Sequence, residues 1–246
     1  MIVLKELDLS LVIACYNEKL VLENSFKEIQ TTLDGSGLDY EIIFVDDKSK
    51  DNTREIIKKI VAKNKNTKFL FHKKNEGRGK TVSDGIKIAR GKVAGFTDID
   101  LSTPAHYIPL MVQKVFGGND IVLAERVYRV DFSSFFRWIL SRGYNLLMKT
   151  MLDMHLKDTE TGCKFFKRKK ILPILDKIQD KHWFWDTEIM VLSYLNGLKI
   201  LEFPTAFIRR NETGSTLRLF RDTLGYFIKL LRFRARLNNL KREIST

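Results

Sequence analysis

Over the first half of the chain, short apolar runs alternate with stretches in which apolar residues return at helical spacing. Residues 9–14, 41–45, 67–72, 92–97 and 120–124 are largely apolar runs of strand length, the continuous kind expected of strands covered on both faces. Between them Leu22, Phe26, Ile29 and Leu33 follow a helical period, as do Ile56, Ile57 and Ile60, and the segments 81–89 and 105–116 read as two further helices. Gly35-Ser36-Gly37 ends the first helix, Asp51-Asn52-Thr53 offers caps to the second, and Pro104 starts the fourth. Strands alternating with helices predict an α/β fold with a doubly wound, mainly parallel sheet. Ligands of such sheets gather outside the carboxyl ends of the strands.

The rhythm changes after residue 126. Phe135, Phe136, Trp138, Ile139, Tyr144, Leu147, Met148, Met151 and Leu152 form a broad apolar helical face that also carries Arg137, Arg142 and Lys149. A polar turn at 158–162 leads to a short strand at 164–166, 182–196 reads as a helix, and 199–207 as one or two short strands. In the tail, 217–242, eight Lys/Arg stand against one acid, Asp222. Leu217, Phe220, Leu224, Phe227, Ile228 and Leu231 share one helical face, with Arg218, Arg221, Lys229, Arg232 and Arg236 largely elsewhere. That pattern predicts an amphipathic helix in a membrane interface, its cations toward anionic headgroups. The competing reading is a helix packed on its own domain with the basic side in solvent.

Four of the five strand ends of the first half carry candidate chemistry. Tyr16-Asn17-Glu18 follows the first strand, Asp46-Asp47 the second, Asp98-Ile99-Asp100 the fourth and Glu125-Arg126 the fifth. Asp98 and Asp100 place two like charges at the mouth of the sheet, which is costly unless a cation neutralises them. A hard divalent cation takes oxygen ligands and commonly shares them with phosphate. Acids and an arginine on one edge therefore predict a metal–nucleotide-diphosphate site. The usual phosphate loops, G-x-x-x-x-G-K-[ST] and G-x-G-x-x-G, are absent. Gly77-Arg78-Gly79-Lys80 reads first as a turn and helix start, and second as a phosphate-facing helix N-terminus.

Charge sharpens this picture without deciding it. The net charge of +13 over 246 residues points to an anionic partner: nucleic acid, an anionic membrane or a phosphorylated substrate. No run of 18 apolar residues and no signal-peptide pattern occurs. Cys15 and Cys163 are single and distant in sequence, which suggests a reducing, cytoplasmic setting. A nucleic-acid module would use the charge but would leave the strand-end acids repelling its ligand, so no nucleic acid is expected.

Five segments then resemble, in order and spacing, a family 2 glycosyltransferase of GT-A fold. They are L-V-I-A-C-Y-N-E (11–18), I-I-F-V-D-D-K-S-K-D-N-T (42–53), N-E-G-R-G-K (75–80), F-T-D-I-D-L-S-T-P (96–104) and the strand at 120–126. D-T-E-T-G-C-K-F-F-K-R (158–168), W-F-W-D-T-E (183–188) and E-F-P (202–204) resemble the polyprenyl-phosphate branch, the dolichyl-phosphate mannose and glucose synthases, with the D-I-D-L-S-T-P and W-D-T-E forms nearer the glucose members.

The resemblance implies a GT-A catalytic domain over 1–216, with its nucleotide-sugar half at about 1–126 and its acceptor half at about 127–216, followed by a basic amphipathic tail, 217–246. It implies that Ala14, Tyr16, Glu18, Val45 and Asp47 hold base and ribose. Asp98 and Asp100, with Ile99 between them and Ser102 close by, would hold Mg2+ or Mn2+ on the donor's diphosphate, and Arg126 and Arg210 would contact phosphates. The sequence departs from the family pattern at Ala14, where a proline is usual, and at Thr216, where a lysine is usual and Arg218 is a candidate replacement.

The reaction implied is inverting transfer of a hexosyl group from a nucleotide-diphosphate sugar, UDP-glucose-like or GDP-mannose, to dolichyl or polyprenyl phosphate. It would take place peripherally on the cytoplasmic face of a membrane, held by an anionic membrane surface or by a membrane-spanning partner protein. The alternative is a related enzyme acting on a soluble sugar or protein hydroxyl. That reaction needs a general base, for which Asp186, Glu188 and Asp158 are candidates.

Overall fold

The computed structural model describes residues 6–127, 156, 158–208, 225–226 and 228–237. Its strands are β1 Leu9–Cys15, β2 Tyr40–Asp46, β3 Thr67–Phe71, β4 Val93–Thr97, β5 Ile121–Val127, β6 Cys163–Lys167 and β7 Ile200–Ala206. They form one sheet in the order β3-β2-β1-β4-β6-β5-β7. The first four run parallel, β5 and β7 are parallel to each other, and β6 lies antiparallel between β4 and β5. The expected doubly wound, mainly parallel sheet is thus present, with one reversed strand that the hydrophobic pattern does not reveal.

The helices are α1 Leu22–Asp34, α2 Thr53–Lys63, α3 Arg78–Lys87, α4 Tyr107–Phe116, α5 Arg168–Leu175 and α6 Trp185–Leu195, and residues 228–237 form a further one. Period-two alternation along the strands sends side chains to two cores. Leu9, Leu11, Ile13, Ile42 and Phe44 meet α1, α2 and α4 on one face. Val12, Ile43 and Val45 meet α3, α5, α6 and the terminal helix on the other. Continuous apolar runs are what such a double cover requires. Pro204 interrupts β7, and it is tolerated because β7 is an edge strand.

Several boundaries differ from the sequence reading. Helix α3 begins at Arg78, three residues before the expected 81, and β5 continues through Glu125 and Arg126 to Val127 because β7 pairs with it residue for residue. Residues 104–106 form a turn ahead of α4. Helix α5, with Pro173 inside it, was not anticipated, although Ile171, Ile174 and Leu175 have helical spacing and are buried.

The apolar segment 132–152, Arg210, Thr216, Arg218 and the start of the tail lie outside the described residues. In 228–237 the buried residues are Leu230, Phe233 and Leu237, packed on the second core, while Ile228 and Leu231 face outward. The described part of the tail therefore docks on the domain through a face other than the one expected to meet lipid. Among the described residues no helix is long and apolar enough to cross a membrane.

Candidate active site

The reversed strand assembles the site. Because β6 runs against β4, its first residue, Cys163, lies beside Thr97. The 158–162 turn is thereby delivered to the carboxyl end of β4. The Asp98 N–H donates to the Gly162 carbonyl at 2.8 Å. A Cβ on Gly162 would fall 1.8 Å from Asp98 Oδ2, so only glycine lets this turn approach the carboxylate so closely.

Ile99 and Leu101 are buried in the first core, and this alternation turns Asp98 and Asp100 away from it. Leu101 holds φ = 50°, a left-handed conformation costing on the order of 1–3 kcal/mol, which the anchored side chain sustains. Asp100 is placed by Ser102, whose N–H donates to Oδ1 at 3.0 Å and whose hydroxyl donates to Oδ2 at 2.7 Å. Ser102, expected as a metal neighbour, thus orients a carboxylate.

Asp98 is held by Arg78, which donates from Nη2 at 2.7 Å and from Nε at 3.2 Å, both to Oδ1. Both bonds fall on one oxygen and leave Oδ2 for another ligand. Arg78 Nη1 also donates to Asp186 Oδ2 at 2.6 Å, and Lys164 Nζ to Asp186 Oδ1 at 2.5 Å. The result is a chain of alternating charge, Asp98–Arg78–Asp186–Lys164, whose last two side chains are almost wholly buried. The Arg78 guanidinium lies 5.3 Å from the Phe96 ring centroid and 5.1 Å from that of Trp183.

Burial works against the charge on Arg78, but Asp98 and Asp186 outweigh it and hold the pKa above its ordinary value. Lys164 is pushed down by burial despite Asp186. Asp98 is pushed up by burial, which Arg78 opposes and Asp100 and Asp186 reinforce. None of this network was assigned from the sequence. The available signals were a lysine in the middle of an apolar strand and an arginine between two glycines.

Glu18 faces the acid pair. Burial, then the charges of Asp100, Asp98 and Asp51, push its carboxyl from 4.5 to about 7. Burial is the larger cause, and the second is the charge of Asp100 and Asp98, which lie close to Glu18 at this edge. Together with the free Asp98 Oδ2, that donor set fits a hard divalent cation on Asp98 and Asp100. Among the described residues no three His, Cys or acidic side chains converge as a complete metal cage, so oxygens from a substrate would fill the remaining positions.

The Glu18 shift has a measurable consequence. Its native pKa lies above the unfolded value, so the native state binds more protons between about pH 4.5 and 7 and stability falls as pH rises through that window. In metal-free buffer, Glu18→Gln is expected to gain stability relative to wild type between pH 5 and pH 8, on the order of 1–3 kcal/mol. Parallel Tm–pH curves for the two proteins would refute this.

The remaining expected residues divide. Tyr16 is exposed and Ala14 half-buried at the end of β1, open to a ligand. The Val45 side chain is fully buried in the second core, which leaves only its backbone for the site. Asp47 is buried and engaged: Oδ1 accepts from Glu76 N at 2.7 Å and lies 2.8 Å from His72 Nδ1, and Oδ2 accepts from Gly77 N at 2.8 Å. Those bonds take the N–H groups of Glu76 and of Gly77, the N-cap of α3, the Lys80 N–H donates to the Lys181 carbonyl, and the Lys80 side chain pairs with Asp84 at 2.5 Å. The 77–80 segment is therefore the turn and helix start of the first reading, with its anion supplied by Asp47. Gly77, at φ = 99°, makes that turn possible.

Arg126 makes a bidentate pair with Asp158, Nε to Oδ2 at 2.6 Å and Nη2 to Oδ1 at 2.7 Å, and its guanidinium lies 5.6 Å from the Phe207 ring centroid. The Glu188 carboxylate accepts from Gln179 N, Asp180 N and Arg236. All three candidate bases, Asp158, Asp186 and Glu188, are thus bound to cations of the protein itself.

The family model for glycosyl transferase family 2 matches residues 10–174. Glycosyltransferase AglD of Haloferax volcanii is 30% identical over 92% of this chain, a stretch that makes up 36% of AglD. A dolichyl-phosphate beta-glucosyltransferase of Dictyostelium discoideum is 29% identical over 93% of this chain and 74% of that protein. The chain therefore spans about a third of the one relative and three-quarters of the other. Glucosyl-3-phosphoglycerate synthase from Mycobacterium tuberculosis, in complex with Mn2+, uridine-diphosphate and glucosyl-3-phosphoglycerate, superposes with a TM-score of 0.69 over 93% of this chain and 80% of that chain. At 17% identity this is a likeness of fold, of GT-A type.

Proposed function

Since the chain belongs to glycosyl transferase family 2, we propose that it transfers a hexosyl group from a nucleotide-diphosphate sugar to a polyprenyl or dolichyl phosphate, with inversion, at a membrane surface. The observation that carries the donor half is the Asp98/Asp100 pair at the carboxyl end of β4, close enough to Glu18 to add to the effect of burial on its carboxyl. Mg2+ or Mn2+ bound there would supply Lewis-acid stabilisation of the departing diphosphate. Asp98 and Asp100 would hold it, positioned by Arg78 and Ser102 respectively. Tyr16 and the backbone at Ala14 and Val45 border the place for base and ribose, and Asp47 shapes its floor by fixing residues 76–77. Arg126 presents a fork suited to phosphate, now filled by Asp158. Arg210, outside the described residues, is assigned beside it by resemblance.

The state of the three candidate bases supports a phosphate acceptor. A hydroxyl must lose a proton during attack, whereas a phosphate monoester is already an anion at neutral pH. Asp158, Asp186 and Glu188 are each paired with Arg or Lys of the protein itself, so none stands ready beside an acceptor hydroxyl. The protein's work is then to bring two anions together and to orient them. The name of the Dictyostelium relative agrees with that acceptor, and its sugar favours the glucose form. Ile228 and Leu231, exposed on the terminal helix beside Arg232, offer lipid and anionic headgroups a small surface. Attachment there would be peripheral, on the cytoplasmic face, with a membrane-spanning partner protein as a second anchor.

Incubation of the chain with Mn2+, labelled UDP-glucose or GDP-mannose, and anionic vesicles carrying polyprenyl phosphate is expected to yield a labelled lipid. EDTA should abolish its formation, and raised salt should lower it by weakening attraction to the vesicles. Faster transfer to soluble sugars, with no lipid product, would replace this reading with the hydroxyl-acceptor one.

A further inference from the structure

Among the described residues, Tyr226, Phe233 and Arg236 reach the start of α6, an element that helps hold Asp98 in place. The Tyr226 hydroxyl lies 2.5 Å from Thr187 Oγ1. The Tyr226 and Phe233 rings meet Phe184 edge-on, with centroids 5.1 and 5.6 Å away. Arg236 Nη1 donates to Glu188 Oε1 at 2.5 Å, and Lys229 pairs with Asp180 at 2.6 Å. Phe184, Thr187 and Glu188 belong to the N-cap and first turn of α6. The same turn supplies Asp186, the partner that fixes Arg78 on Asp98. Thr187 Oγ1 also lies 3.3 Å from Thr159 Oγ1, in the turn whose Gly162 carbonyl accepts the Asp98 N–H. Both supports of Asp98, side chain and backbone, therefore lead back to the terminal helix.

We propose that Tyr226 and Arg236 are positioning residues of the metal–diphosphate site, so that this part of the tail completes the catalytic centre and is not only an anchor. The physical reason lies in Glu188. Its side chain is only 2% exposed, and without Arg236 it keeps only the N–H groups of Gln179 and Asp180, a buried carboxylate that has lost its cation in the same helical turn as Asp186. The added negative potential draws Arg78 toward Asp186 and releases its hold on Asp98. Loss of the Tyr226 hydroxyl loosens the same turn and the Thr159 turn together. Groups that orient a metal ligand commonly change metal affinity although they never touch the ion.

The inference rests on the metal–diphosphate reading above, and the test is arranged to separate the two. Binding of UDP and of GDP is measured by calorimetry across a Mn2+ titration, without acceptor or membrane, on the full chain and on Tyr226→Phe, Arg236→Met and Arg236→Lys. Thermal unfolding is followed in parallel, and binding is read well below each Tm. Tyr226→Phe and Arg236→Met are expected to weaken Mn2+-dependent nucleotide binding about 3- to 10-fold, and Arg236→Lys, which keeps the charge on Glu188, by no more than about twofold. If Arg236→Met does not fold, Tyr226→Phe decides alone, since it removes a single hydroxyl. A lowered Tm with unchanged affinity overturns the proposal and leaves the helix a purely stabilising element. Absence of Mn2+-dependent binding in the wild-type chain overturns the metal–diphosphate reading itself, and this proposal with it.

Discussion

Asp98→Asn and Asp100→Asn are each expected to lower turnover about a thousandfold while leaving the fold intact. Each change removes one negative ligand from the proposed metal site, which would hold charge in place as a diphosphate departs. Stability should hardly fall and can rise, because the acids repel one another and Glu18 in the metal-free protein. Gly162→Ala should reproduce much of the Asp98→Asn defect without touching a carboxylate. Its methyl group would fall 1.8 Å from Asp98 Oδ2, so either the turn or the aspartate must move. Initial rates at saturating Mn2+, with circular dichroism to verify folding, check all three variants. Near wild-type rates in either aspartate variant would remove the pair from the chemistry.

Lys164→Met is expected to destabilise the protein by about 3 kcal/mol, the lower end of the usual cost of breaking a buried pair, because Asp186 keeps Arg78 as a second cation. The Lys164 side chain is fully buried and the Asp186 side chain 2% exposed, so water cannot replace the lost bonds. Lys164 Nζ also donates to the Thr161 carbonyl, which would be orphaned. Adding Asp186→Asn to Lys164→Met should recover part of the loss by removing a buried carboxylate that has lost one of its two cations. Denaturant unfolding measures both variants. A cost under about 1 kcal/mol for Lys164→Met would mean that Arg78 alone neutralises Asp186.

The sheet and its catalytic edge were legible because each rests on local rules. A strand covered on both faces must be apolar throughout, and polar residues then mark where it ends. This located the ends of β1, β2, β4 and β5 to within a few residues and brought Glu18, Asp98, Asp100 and Arg126 to one edge. The outward turn of Asp98 and Asp100 follows from the same alternation, since Ile99 and Leu101 are the residues that enter the core. What escaped depended on pairings distant in the chain. Nothing local distinguishes an antiparallel strand from a parallel one in Cys163–Lys167, yet its direction is what carries Gly162 to Asp98. No spacing rule links Arg78 to Asp186 across 108 residues, or Arg236 to Glu188 across 48.

The sequence by itself determined the α/β architecture and the gathering of an acid pair and an arginine at one edge of the sheet, because hydrophobic periodicity and residue type are properties of short segments. Only the tertiary structure decided which groups are spent on the protein and which remain for a ligand. Asp47 reads from its position as a ligand-binding acid but is consumed by the N–H groups of residues 76 and 77. Asp158, Asp186 and Glu188 read as bases but are neutralised by Arg126, by Arg78 with Lys164, and by Arg236. The tail reads in sequence as one apolar face that includes Ile228 and Leu231, but the docking face of the terminal helix is Leu230, Phe233 and Leu237. A side chain's charge state and partner depend on what folding brings within about 4 Å of it, and that distance is set by the whole chain.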